Sequence, residues 1–526
     1  MKRFRIPWLL ASMVCLAAGV HAATFDLTKA SIADMQAAMA SGALTSEKLV
    51  QLYLNRIAAY DKAGPKINAV ITLNPKALET ARALDEERKA KGPRSPLHGI
   101  PFIVKDVFDT NDMQTTGGYL PLKGVIPDKD ATVIKRLRAA GAIILAKVNQ
   151  SDWYGQSEVL AKSSMGGSTL NPFDLTRIPG WSSAGTSAGL AAQFATAGLG
   201  SETGFSVRTP TSDGNLFGLA STSGLISRTG QMWSYITGER AGPMAHSVYD
   251  LCVTLDAIAG FDSADLWTAN SLGKMPMQKY VTFIDKQGLR GARVGVLKEA
   301  FDPKFKPVDA NVIEMARRAI KVFGDHGAKV FDPVSLGFDL QQYLAANGSP
   351  GGYERIAAIN QYLAHQGPGY PYKTAADLLL GHSTPTAPNN KDLIEHPVDL
   401  DRDPEYRAAL EGKVALRNAV LDLMDRYHLD ALIYPHKLSG PLKIDSAKEG
   451  PFYGYVPNQM SPLTGFPAFI VPMGFTPDGL PVGLEILGRP WSEPTLIKLA
   501  SGFEAVTDNR RLPATTPTLP GEKFDY

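Results

Sequence analysis

From Ala30 to Lys91 apolar residues recur every three or four positions, as in IADMQAAMA and TSEKLVQLYLNRIAAYDKAG, the period of helices with one buried face. Thr45 stands where an N-cap is expected and Gly64 where the helix should stop. From Pro96 the pattern changes. Short, nearly continuous apolar runs (IPFIVKDVF, AIILAKVN, ARVGVLKE, ALIYP, FPAFIVPMGF and PVGLEILG) alternate with amphipathic segments such as DATVIKRLRAAG and ANVIEMARRAIKVFGDHG. Strands alternating with helices predict an α/β fold, a single large domain around a mixed, mostly buried β-sheet covered by helices. The stretch from about 347 to 403 is rich in Gly, Pro, Tyr and His and shows no clear period, so it is expected to be an irregular, lid-like insertion or surface decoration. Regular runs resume over about 430–506 and are expected to complete the sheet begun by a core of about 96–250. There is no fixed-period repeat.

The first 22 residues break this scheme: basic Lys2, Arg3 and Arg5 precede the apolar run WLLASMVCLAAGV and a small-residue site ending at Ala22. That order is the pattern of a secretion signal, so 23–526 is expected to be the mature, exported domain, periplasmic or secreted. The apolar run is too short to span a bilayer, and no membrane association is expected after cleavage. Lys and Arg number 54 against 52 Asp and Glu, a near-neutral balance that gives no case for nucleic acid or an anionic surface as partner. Only Cys252 remains beyond the leader, which excludes an internal disulfide and leaves stability to a core drawn from 44% hydrophobic residues. No cluster of His, Cys and Asp has metal-ligand spacing, and no cofactor is expected. Oligomeric state is not set by the sequence.

Chemistry concentrates in GWSSAGTSAGLAAQFATAGLGSETGFSVR, residues 180–208. Gly185-Thr186-Ser187-Ala188-Gly189 has the G-x-S-x-G form of a nucleophile elbow, yet no apolar strand feeds it, so Thr186 or Ser187 is expected to serve as a helix N-cap. GLGSETG lacks both the feeding strand and the downstream acid of a dinucleotide site. A helix of about ten residues from Thr186 advances roughly 15 Å, and an extended return through TAGLGSE recovers that distance. Ser182 or Ser183 is thereby brought beside Ser206, each on a loop whose backbone N–H groups can converge on an anion. A serine nucleophile needs a base. His98, His246 and His436 have no local carboxylate that would mark a triad, whereas Lys105 closes the apolar run IPFIV, where desolvation favours a neutral amine. The other reading of Lys105 is a strand-end lysine that snorkels to solvent or pairs with Asp106.

Three separated segments, LHGIPFIVKD, STLNPFDLTRIPGWSSAGTSAG and GLGSETGFSVRTP, together with AGPMAHSVYDL and the run from SPLTGFPAF onward, resemble the amidase signature family over about Ser31 to Val506. The resemblance implies a hydrolase of linear carboxamides working through an acyl-serine, with Ser206 as nucleophile, Ser182 as bridging serine and Lys105 as base. It further implies an oxyanion hole from the backbone of Thr203, Gly204, Phe205 and Ser206, and a cis peptide bond before Ser182. Secreted bacterial peptide amidases are similar in length and leader, which points to C-terminal peptide amides or aryl amides. Carbamates and esters are alternative substrates, and a serine esterase using Ser187 is the rival mechanism. Trp181 and Phe205 stand where the family usually has glycines; their rings either pack beneath the loops or form an aromatic wall. Ser183 and Arg208 are expected to support the loops or touch substrate, Arg208 first as an ion pair. Asp106, Gly465, Gly474 and Gly483 are expected to be structural.

Overall fold

The computed structural model describes residues 23–152, 161–384, 388–445 and 456–526; the leader-like segment and its cut after Ala22 lie outside them. An eleven-stranded mixed sheet runs through the molecule. From one edge to the other its strands are Lys329–Val334, Arg293–Leu297, Ala431–Pro435, Pro481–Gly488, Ala468–Phe475, Phe217–Ala220, Arg240–Ala245, Ala197–Glu202, Pro101–Lys105, Ile143–Val148 and Val70–Leu73. All six apolar runs of the sequence are in this sheet. Pro101–Lys105 and Ile143–Val148 are buried along their whole length, which is why their residues are continuously apolar and do not alternate.

Ala197–Glu202, Pro101–Lys105 and Ile143–Val148 run parallel, with Val104 opposite Leu199 and Lys105 opposite Val148. Their carboxyl ends therefore open on one side of the sheet, where ligands bind in α/β folds. Five of the strands were not marked by the apolar pattern. Ala197–Glu202, read as an extended return, consists of small residues because other backbone and side chains press on it: a Cβ on Gly198 would lie 2.8 Å from the Ile103 carbonyl oxygen.

Thr45 caps the helix Ser46–Tyr60, its hydroxyl accepting from the Lys48 N–H, as the sequence predicts. The cap expected at Thr186 or Ser187 is not observed. The helix is Ala184–Ala191, with Ser183 at its cap, and both hydroxyl residues lie inside it. Its first turn docks on the end of Ile143–Val148: the Gly185 N–H donates to the Asn149 carbonyl at 2.8 Å, and a Cβ at Gly185 would come within 2.3 Å of that oxygen. The glycine of G-T-S-A-G is thus a close-packing glycine.

The insertion is helical, contrary to expectation, and forms Gly351–Ala364, Ala375–Leu380 and Pro388–Glu395 ahead of the long helix Pro404–Arg426. It is fastened to the core. Tyr362 and Gln366 donate to the two oxygens of buried Asp109 at 2.8 and 2.9 Å, and buried Glu354 accepts from the Thr237 backbone and hydroxyl and from Tyr406. These bonds tie two of its turns to the core. No helix among the described residues is long and apolar enough to cross a membrane.

Candidate active site

Lys105, the last residue of its strand, is 2% exposed and directs Nζ at two hydroxyls, donating to Ser182 Oγ at 2.6 Å and to Ser201 Oγ at 2.9 Å. Burial pulls its pKa down to about 7 against the opposing fields of Glu239 and Glu202. Asp106, its sequence neighbour, is turned elsewhere, accepting from the Thr116 N–H and hydroxyl and pairing with Lys147 at 3.1 Å. The snorkelling and Asp106-paired readings of Lys105 are therefore both excluded.

Lys105, Ser182, Ser201 and Ser206 line one cavity of about 330 Å³. Thr203, Gly204 and Phe205 line it too, so the run between the Ala197–Glu202 strand and Ser206 wraps the same space. Trp181 and Phe205 meet edge to face, with ring centroids 5.5 Å apart and planes at 82°, and both border the cavity. Phe205 keeps a negative φ, so its ring is accommodated without backbone strain. The cis bond expected between Trp181 and Ser182 is not observed; the cis bonds among the described residues precede Pro307 and Pro333. The chain is instead turned into the serine loop by Gly180 at φ 97°, where a Cβ would lie 2.5 Å from Pro210 Cα.

Ser183 is buried and its hydroxyl donates to the Ser201 carbonyl at 3.2 Å, which makes it a loop support. Ser187 is also buried, donating to the Pro210 carbonyl at 2.6 Å, and does not line the cavity. Replacing Ser187 with Ala is expected to cost about 1 kcal/mol of stability, the loss of one hydrogen bond to a carbonyl that still accepts from the Gly214 N–H, with hydrolysis retained; activity and a denaturation curve on the same variant check both.

Beneath the cavity lies a charge network that the sequence did not reveal. Glu202 Oε1 accepts from Arg208 Nε at 2.9 Å and Arg240 Nη2 at 2.7 Å, while Oε2 accepts from the Val207 and Arg208 N–H groups. Arg208 also donates to Glu485 at 2.7 Å and to the carbonyls of Gly204 and Asn458 at 2.8 Å. Glu485 in turn holds Tyr434 and His436, and His436 Nε2 lies 2.7 Å from Thr209 Oγ1. Thr209, His436 and Glu485 thus imitate a hydroxyl–imidazole–carboxylate triad. All three are buried and outside the cavity, so they brace the loop. Arg208 is wholly buried, which settles it as an ion pair and not a substrate contact. The other wall is held by Glu239, which accepts from the Thr203 hydroxyl at 2.7 Å.

One signal in the sequence could have found part of this network: Glu485 interrupts the apolar run VGLEILG as Lys105 closes IPFIV. Replacing Arg208 with Met leaves buried Glu485 without its arginine and Glu202 with Arg240 alone, and a loss of about 3–5 kcal/mol is expected in chemical denaturation.

Of the nine expected site residues, Lys105, Trp181, Ser182, Thr203, Gly204, Phe205 and Ser206 are brought to the cavity, and Ser183 and Arg208 lie behind it. Ser201 and Glu239 are additions.

The family model for Amidase matches residues 48–497. A glutamyl-tRNA(Gln) amidotransferase subunit of Chloroflexus aggregans is 32% identical over 492 residues, covering 90% of this chain and 95% of that relative. Among solved structures, the native peptide amidase of Stenotrophomonas maltophilia superposes with a TM-score of 0.79 at 33% identity, over 93% of this chain and 99% of that one. An amidase family protein of Bacillus anthracis gives 0.77 at 27% identity over 93% and 92%.

Proposed function

The chain belongs to the amidase family and is a hydrolase of carbon–nitrogen bonds, and from that premise we propose that it removes the terminal amide from peptides, with Ser206 as nucleophile, Ser182 as bridge and Lys105 as base. The observation that carries the assignment is the buried Lys105 amine 2.6 Å from Ser182 Oγ, beside the cavity that Ser206 lines. A neutral amine has a lone pair. Lys105 takes the Ser182 proton, Ser182 takes that of Ser206, and Ser206 Oγ bonds to the amide carbon. Backbone N–H groups along Thr203–Ser206 face the oxygen as it gains charge. When the C–N bond breaks, the proton returns through Ser182 to the leaving nitrogen, and ammonia departs. Water then repeats the path and frees the acid.

Support for a peptide substrate comes from the walls. Trp181, Phe205, Met232, Tyr235 and Leu463 give the cavity aromatic and apolar surface, and Ser349, Gly351 and Arg355 bring the insertion to its mouth. The likeness to a peptide amidase supports the same reading. The leader-like residues 1–22 support export of the enzyme to the periplasm or medium. The likeness to one component of an amidotransferase favours a second reading, in which the chain works within a complex. Incubating the isolated protein with an amidated peptide, a short aliphatic amide and an anilide, and measuring ammonia or amine, separates the possibilities. Ammonia from the peptide with internal bonds intact is expected; cleavage of only the aliphatic amide or only the anilide overturns the substrate and spares the hydrolase.

A further inference from the structure

Behind Leu463, which borders both spaces, a second cavity of about 390 Å³ lies back to back with the catalytic one. One wall is a single face of the helix Pro404–Arg426, where Leu410, Lys413, Val414 and Arg417 fall at steps of three and four and stack on one side. The other brings Trp267 and Trp491 together with Lys274, whose Nζ lies 5.1 Å from the centroid of the Trp491 ring. Leu266 and Leu272, 76% and 60% exposed, lie on the same segment as Trp267 and Lys274.

The charge around this space is one-sided. Three cations line it and no carboxylate does. Among the described residues none of the three has an ion-pair partner. Lys413, largely withdrawn from solvent, spends its ammonium on neutral oxygens, Tyr235 OH and the Thr237 carbonyl, each at 2.9 Å. Burial pushes its pKa down to about 8. Glu354, the carboxylate whose field reaches it, is occupied by Thr237 and Tyr406. Arg417 donates to the Thr464 carbonyl at 3.0 Å and lies 5.0 Å from the Phe466 ring centroid. A guanidinium has five N–H donors, so most of its fork remains for a ligand.

We propose that this cavity binds a small carboxylate with an aromatic body, the carboxylate held by Arg417 and Lys274 and the ring against Trp267 and Trp491. A planar carboxylate matches the guanidinium fork, and indole faces favour an aromatic ring over a bare inorganic anion, which would leave both tryptophans unused. The site is independent of which amide the enzyme hydrolyses, although the acids released from aryl amides are of the same chemical class.

Calorimetric titration of the full chain with phenylacetate tests it. Saturable one-to-one binding is expected, with 2-phenylethanol, the same ring without the charge, weaker by about tenfold or more. Arg417→Gln should weaken phenylacetate by roughly tenfold and the exposed Lys274→Gln by a few-fold, since a bidentate contact outweighs a solvated point charge. Binding should persist after a serine-directed fluorophosphonate has filled the catalytic cavity. No saturable heat, equal affinity for the alcohol, an unchanged affinity in both variants, or loss of binding in the blocked enzyme would each overturn the proposal; the last would place the ligand in the catalytic cavity.

Discussion

Replacing Lys105 with arginine is expected to reduce kcat/KM by on the order of 10⁴, as completely as replacement with methionine, because guanidinium stays protonated and offers no lone pair. The amine occupies a pocket floor that is 2% exposed, and burial has pulled its pKa to about 7, so a large fraction is neutral at neutral pH. Activity should accordingly fall on the acid side of about pH 7 along a single proton's slope, since below that value Nζ is an ammonium. The stability of the fold moves the same way. A lysine with a lowered folded-state pKa binds more protons when unfolded, so stability rises with pH from about 7 toward the unfolded value of about 10.4 and carries its full penalty below 7. The methionine variant should therefore be more stable than the parent below pH 7, with the difference shrinking as pH rises. A pH–rate profile and denaturation curves at two pH values read both effects. An arginine variant with most of the parent rate would make Lys105 a cationic stabiliser and end the relay.

Ser206→Ala is expected to have the largest effect, on the order of 10⁶ in kcat, because groups that act as a unit fail together when the nucleophile is lost. A fluorophosphonate should label the parent at Ser206 and leave the variant unlabelled. Label at Ser187 would revive the esterase mechanism, though that hydroxyl is buried in a helix against the Pro210 carbonyl. Ser201 distinguishes itself from Ser182 in the same experiment: it shares the Lys105 amine at 2.9 Å but lies on the strand and not on the loop. Ser201→Ala should reduce labelling far less than Ser182→Ala, which interrupts the proton path.

Much of this was legible before any coordinates. A lysine closing a buried run, serines on two glycine-bearing loops and six apolar strands are local signals, and each is where the sequence places it. What escaped has a common cause. The strands Ala197–Glu202 and Arg240–Ala245 bear Gly, Ser, Glu and Arg because they face a docked helix and a charge network, and those residue types in isolation look like loop. Glu202, Arg208, Arg240 and Glu485 neutralise one another across up to 277 residues of sequence, a pairing that no local window contains. The insertion read as irregular because Gly351–Ala364 opens on two glycines, poor helix formers, and is held in shape by Asp109 and Glu354.

The tie between Arg208 and Glu485 has a temporal side. A ribosome-bound chain that has emerged only as far as residue 445 already contains Lys105, Ser182, Ser206 and Glu202, yet Glu485, the second carboxylate on Arg208, and the two strands Ala468–Phe475 and Pro481–Gly488 at the middle of the sheet are still unmade. Hydrolysis is therefore expected only once synthesis is almost finished. A chain ended at residue 445 should accordingly show no hydrolysis although all three relay residues are present, so that the last strands of the sheet act as the enzyme's completion signal.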